Sequence, residues 1–180
     1  MRLAWMGLAL AAAAFAQPKP VRVLFIGNSY TYYNDMPQTF AALAPAGKKA
    51  EVKAITQGGA SLGELWFRAD VRQALESERW DFVVLQEHSL LGFATRDGEA
   101  MVNEPDYFWH DVRLFEPDVR RAGATMVLYH TWSRKNNPAA QADLDYAYGV
   151  AANELKARRA PVGRAWLELR QKNPEVDLYV

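Results

Sequence analysis

Ser29 is the residue whose surroundings first suggest chemistry. It follows the apolar run Val21–Ile26 through Gly27-Asn28, so its hydroxyl is expected on a tight turn at the end of a buried strand, with a helix starting beside it. Such a turn exposes a nucleophile and directs backbone N–H groups towards a developing oxyanion. Asn28 and Ser29 suit equally well a turn that merely caps a helix, and the tripeptide alone leaves both readings open. Gly58-Gly59 ends a second β-rich run, where the lack of a Cβ lets the backbone approach a ligand and donate an N–H. Taken alone, that pair is only a loop. Gln86-Glu87-His88-Ser89 follows a third apolar run directly. An abrupt change to polar residues at a strand end fits a binding site or a hydrogen-bonded structural loop.

Three histidines are available as proton acceptors. His88 lies within the polar run, and a neutral imidazole there has the chemistry to take a serine proton. His130 closes the apolar run Ala124–Tyr129 on the same expected edge, although a strand-end histidine also suits bonding to nearby backbone. His110 sits beside Asp111 in a helical pattern and reads as a partly exposed helix residue. No histidine pair has metal-ligand spacing, so no metal is expected. No G-x-x-x-x-G-K-[ST] loop is present for a nucleotide, and no cofactor is expected. With no Cys in the chain, thiol chemistry, disulfides and a lipid-modified Cys are excluded.

The elements that must position these residues follow from periodicity. Strands are expected at Val21–Ile26, Glu51–Thr56, Trp80–Leu85 and Ala124–Tyr129. Helical patterns span Met36–Ala44, Glu64–Glu78, Asp106 to about Ala122 with an interruption at Pro117, and Gln141–Arg158. A loop is expected over Gly92–Pro105, and Val162–Leu167 reads as a fifth strand or a helix start. Strands alternating with helices imply an α/β fold: a three-layer α/β/α sandwich around a flavodoxin-like parallel sheet of about five strands. Right-handed crossovers bring all strand C-terminal ends to one edge, where ligands bind in open α/β folds.

The 180 residues, 50% of them hydrophobic, suffice for one domain with a real core. Met1-Arg2, the apolar stretch Leu3–Phe15 and Ala14-Phe15-Ala16 describe a secretory signal peptide cleaved after Ala16. The remaining domain then spans residues 17–180, exported to the periplasm or medium. The apolar stretch is shorter than the roughly 20 residues that span a bilayer, so no stable membrane anchor is expected. Lys plus Arg and Asp plus Glu both number 21, and without a basic excess nucleic acid is not an expected partner.

Val23-Leu24-Phe25-Ile26-Gly27-Asn28-Ser29-Tyr30-Thr31 resembles block I of the SGNH (GDSL-like) hydrolases, in the Gly-Asn-Ser form of one branch. Asp81-Phe82-Val83-Val84-Leu85-Gln86-Glu87-His88-Ser89 is similar to that branch's third block, and Gly58-Gly59 stands as block II between them. The resemblance covers roughly Val21 to the C-terminus and includes Thr131-Trp132. It implies that Ser29 attacks an ester carbonyl. It also implies that the oxyanion is held by the Ser29 N–H, by Gly59 or else Gly58, and by a side chain from block III. His88 stands at that third position, with Gln86 as the alternative; Asn28 belongs to the same oxyanion and substrate-binding group.

The family's base is a His in a C-terminal Asp-x-x-His motif, which this sequence lacks. Asp177-Leu178-Tyr179-Val180 resembles the stretch that runs into that motif, so the chain is expected to stop short of it. A fragment, a non-catalytic descendant and an enzyme with a relocated base are the three explanations. The resemblance implies a secreted serine esterase acting on a small or carbohydrate-linked ester. The alternative is a non-catalytic protein that binds a carbohydrate or small ligand. Tyr30, Tyr32, Tyr33 and Trp132 are expected near the strand ends, where they suit sugar stacking or packing.

Overall fold

The computed structural model describes residues 19–92 and 94–179; the expected signal segment lies outside them. Strand β1 (Val21–Gly27) leads into the short helix α1 (Ser29–Tyr32), a single 3-10 turn (Tyr33–Asp35) and α2 (Met36–Ala42). Then come β2 (Ala50–Thr56), α3 (Leu62–Trp66), α4 (Ala69–Ser77) and β3 (Phe82–Leu85). A hairpin of β4 (Ala94–Arg96) and β5 (Glu99–Met101) precedes α5 (Asp106–Arg121) and β6 (Thr125–Tyr129). The 3-10 turn Pro138–Ala140, α6 (Gln141–Leu155), β7 (Arg158–Ala160) and α7 (Val162–Lys172) complete the chain.

The main sheet has five parallel strands in the order β2-β1-β3-β6-β7, the α/β/α arrangement expected from the alternating pattern. The ends of β1, β3 and β6 therefore sit side by side, which is how residues near 29, 88 and 131 become neighbours. The strands' apolar residues serve two cores. Leu24, Ile26, Val83, Leu85, Met126 and Leu128 face the larger one, built with α3 to α6. Val23, Phe25 and Val84 face a thinner one with half-buried Val52, Phe82, Val127 and Tyr129. Phe40 of α2 meets Phe25 edge-on there at 5.6 Å.

Several boundaries differ from the sequence reading. The helix expected at Glu64–Glu78 is two helices, because Arg68 is extended and its guanidinium bonds Asp70 and Gln57 across the break. Helix α5 continues through Pro117, which faces solvent, so the carbonyl it frees is open to water. The expected loop at Gly92–Pro105 contains the β4–β5 hairpin, turning at Asp97-Gly98 with both φ angles positive, as such two-residue turns require. Helix α6 ends at Leu155, the fifth strand is Arg158–Ala160, starting at the last residue of the expected helix Gln141–Arg158, and Val162 starts a helix. Among the described residues no helix is long and apolar enough to cross a membrane.

Candidate active site

The turn that carries Ser29 is locked from behind. Asn28 is 3% exposed. Its Oδ1 accepts the Tyr30 N–H at 3.2 Å, its carbonyl accepts the Thr31 N–H at 2.9 Å, and its Nδ2 donates to the Ala60 carbonyl at 2.9 Å. Gln86 completes the lock: its Oε1 accepts the Asn28 N–H at 2.9 Å and the Thr31 hydroxyl at 2.8 Å. Its NH2 group donates to Asn28 Oδ1 at 2.9 Å and to the Glu87 carbonyl. A Cβ on Gly27 would collide with the Thr31 hydroxyl and the Gln86 amide, so block I needs its glycine for close packing. Both Gln86 amide hydrogens are used internally. Gln86 and Asn28, expected to contact oxyanion or substrate, hold the Ser29 turn from the protein side.

The Gly58-Gly59 loop is tied to the same lock. Gln57 N–H donates to the Gly27 carbonyl at 3.2 Å, and Gly59 adopts φ +71°, a left-handed conformation that favours glycine. The Tyr32 hydroxyl lies against Gly58. Helix α3 starts directly after the loop, and each of its first amides has a side-chain acceptor. Leu62 N–H donates to Glu87 at 3.0 Å, Gly63 N–H to Asp111 at 2.9 Å, and Glu64 N–H to the capping Ser61 at 3.2 Å.

Glu87, given no role by the sequence reading, is the hinge of this arrangement. It is 2% exposed, and its second oxygen accepts the His88 N–H at 2.5 Å. One carboxyl thus joins the loop bearing Gly59 to the loop bearing His88. Burial raises its pKa to about 7, against the two N–H donors that lower it; Asp111 and Glu64 add to the rise. Its place in a polar run after an apolar strand was the available signal. Its partners were not legible.

His88 is half-buried at the end of β3. Burial and then the Arg134 guanidinium lower its pKa, against a hydrogen bond with the Gly92 backbone. It is therefore neutral near pH 7, able to donate or accept one proton. His130 is 1% exposed and stacked on Tyr148 at 4.6 Å, with Nε2 3.1 Å from Asp145 Oδ1. Burial overrides the Asp145 charge and pushes its pKa down to about 4. His130 is thus locked into the α6 side. His110 is exposed on α5, 3.0 Å from Asp111.

Trp132 is sandwiched between Tyr30, at 4.3 Å and 1°, and Trp166, at 4.1 Å and 7°. Both faces are covered, so it packs rather than presenting a face to a sugar; Tyr32 and Tyr33 remain exposed. Among the described residues no three His, Cys, Asp or Glu side chains converge as metal ligands. Two clefts elsewhere, one beside Lys53 and Glu78 and one beside Trp109 and Tyr146, contain none of these site residues.

Among solved structures, a protein from Slackia heliotrinireducens described as an SGNH hydrolase is 30% identical over 83% of this chain and 83% of its own, with a TM-score of 0.67. The chain belongs to the SGNH hydrolase family. Two further SGNH-type folds superpose at lower identity. The SGNH-family esterase AlinE4 is 16% identical, with a TM-score of 0.65 over 92% of this chain and 86% of its own. TesA is 20% identical, with a TM-score of 0.57 over 78% and 77%. No protein-family model matches the sequence, and no curated protein does. As an SGNH hydrolase, the chain is a member of a hydrolase and esterase family.

Proposed function

We propose that this protein is a secreted serine esterase that cleaves a small or carbohydrate-linked ester through a Ser29 acyl-enzyme. The observation that carries the reading is the Ser29 turn. Its amides beyond Ser29 are taken by Asn28, and the turn is tied through Asn28 and Gln86 to the Gly59 loop and the end of β3. Ser29 Oγ attacks the ester carbonyl while a base takes its proton. The Ser29 and Gly59 N–H groups, with the His88 ring, hold the oxyanion. Collapse breaks the carbonyl–alkoxy bond, and the alcohol leaves with the proton. Water then adds to the acyl carbon and releases the acid and Ser29. Exposed Tyr32 and Tyr33 favour a substrate with a ring to stack on.

The test is hydrolysis of p-nitrophenyl acetate by wild type and Ser29→Ala, with folding followed by circular dichroism. The expected loss in Ser29→Ala is about 1,000-fold or more; equal activity would exclude Ser29 as nucleophile. A non-catalytic binding protein is the second reading, favoured by the two histidines that Asp111 and Asp145 hold. Calorimetric binding of a glycan or small ester without turnover would select it.

A further inference from the structure

The loop after β6 walls one side of the Ser29 edge and is pinned along its length. Thr131 Oγ1 donates to the Ser89 carbonyl at 3.0 Å, and Ser133 N–H donates to Gln141 Oε1 at 3.0 Å. The Tyr179 hydroxyl donates to the Ser133 carbonyl at 2.8 Å. Gly163 packs so closely on the Thr131 carbonyl that a Cβ has no room. Trp132 sits in its ring stack between Tyr30 and Trp166.

From this fixed loop Arg134 reaches back over the end of β3. Its guanidinium donates to Ser89 Oγ at 3.2 Å, and the residue is exposed. Arg22, Arg68, Arg113, Arg120, Arg121 and Arg164 have carboxylate partners; among the described residues Arg72, Arg79, Arg158, Arg159 and Arg170 have none, and of the arginines without one it is Arg134 that bonds to the polar run after β3. No carboxylate among the described residues lies within 4.0 Å of Arg134. Neighbouring Lys135 is neutralised by Asp177 at 2.6 Å. Glu87 is buried with both oxygens committed to backbone N–H groups. The guanidinium has five N–H donors, and its one hydrogen bond among the described residues is to a neutral hydroxyl. Ser89 follows His88, and β3 lies next to β1, so Arg134 stands at the same sheet edge as Ser29.

We propose that Arg134 is a specificity-determining residue and that the preferred substrate is an anionic ester, with a carboxylate a few bonds from the ester carbonyl. The planar fork of a guanidinium receives a carboxylate through two parallel hydrogen bonds. Ser89 Oγ holds it at the mouth of the site, and the stacked Tyr30–Trp132 pair fixes the wall that carries it. This inference rests on the reading of Ser29 as nucleophile.

The test compares 4-acetoxybenzoate with its methyl ester, which share an acetyl group and differ in one charge. In wild type the ratio of kcat/KM, charged over neutral, is expected to fall by ~10-fold in Arg134→Ala, through KM, and by less in Arg134→Lys. Added salt shrinks the wild-type ratio. In parallel, 4-acetoxybenzoate is titrated calorimetrically into Ser29→Ala and into Ser29→Ala with Arg134→Ala. Turnover with the same ratio in wild type and Arg134→Ala overturns the inference and leaves the esterase reading standing. Arg134-dependent binding without turnover in wild type overturns the esterase reading and the substrate assignment with it, and leaves Arg134 only as a carboxylate-binding group. Neither turnover nor Arg134-dependent binding overturns both.

Discussion

The ends of β3 and β6 begin from the same pattern, an apolar strand that stops at buried polar residues, and they come to opposite uses. At β3, Gln86 and Glu87 bond mostly to the Ser29 turn, to the start of α3 and to His88 N–H. At β6, His130 and Gln141 bond to Asp145 and to the loop's own backbone, on the α6 side. Both ends hold a titratable group pushed far from its ordinary value, Glu87 up to about 7 and His130 down to about 4. A shifted pKa therefore does not mark function here. What distinguishes the two ends is the partners: Glu87 joins two loops of the site, whereas His130 anchors a helix.

The largest expected contrast is between the two glutamines. Gln86→Leu strands the Asn28 N–H and the Thr31 hydroxyl in a buried turn and is expected to cost about 3–5 kcal/mol in urea unfolding. It should also abolish fluorophosphonate labelling of Ser29. Gln141→Leu removes the side-chain acceptor of one buried amide, Ser133 N–H, and is expected to cost about 1–3 kcal/mol and to spare labelling. Equal losses from the two substitutions would erase the distinction.

Stability against pH separates the ends next. Folded Glu87 keeps its proton to about pH 7, against 4.5 for an ordinary Glu, so folding binds a proton between those values. That contribution is full below pH 4.5 and is lost as pH rises through 7. Folded His130 gives up its proton at about pH 4, against 6.5 ordinarily. Its contribution is full above pH 6.5 and is lost as pH falls through 4. Each amounts to about 3 kcal/mol, and between pH 4.5 and 6.5 their slopes oppose. Wild-type stability is expected to be nearly flat there, rising with pH in Glu87→Gln and falling with pH in His130→Asn. Parallel curves for the three proteins would refute the opposed titrations.

The rate of Ser29 labelling sharpens the comparison further. Glu87→Gln keeps one carbonyl acceptor for two N–H donors and loosens both loops, so labelling is expected to slow ~10-fold. His130→Asn should stay within about twofold of wild type, since the ring touches neither loop. The smallest effect is expected for Asp145→Asn. Removing that charge lowers the His130 pKa further, readable by NMR titration, and changes stability at pH 7 by less than about 1 kcal/mol.

Much of the candidate site was legible because it rests on short-range relations. Ser29 comes two residues after the glycine that ends β1, and Gly59 three residues after the end of β2. Parallel topology then places both at one edge. Asn28 and Gln86 were legible as members of the site but not in their roles. Their side chains could turn outward to a substrate or inward to each other, and that choice depends on a contact between residues 58 positions apart. Trp132 was open for the same reason, since nothing in its own segment announces that Tyr30 and Trp166 cover its two faces. The β4–β5 hairpin escaped because its strands are only three residues long.

Local periodicity and turn chemistry in the sequence determine the alternation of strands and helices, the edge where they end and the Ser29 turn that follows β1. Those properties depend on residues a few positions apart. Tertiary structure alone decides that Glu87 bridges two loops, that His130 is shut behind α6 and that Arg134 bonds Ser89 with no carboxylate partner among the described residues. Each is a matter of which distant groups meet in a low-dielectric interior or at its rim. Hydrogen-bond direction and desolvation, set by that meeting, then turn the same kinds of polar residue into a brace, an anchor or a recognition group.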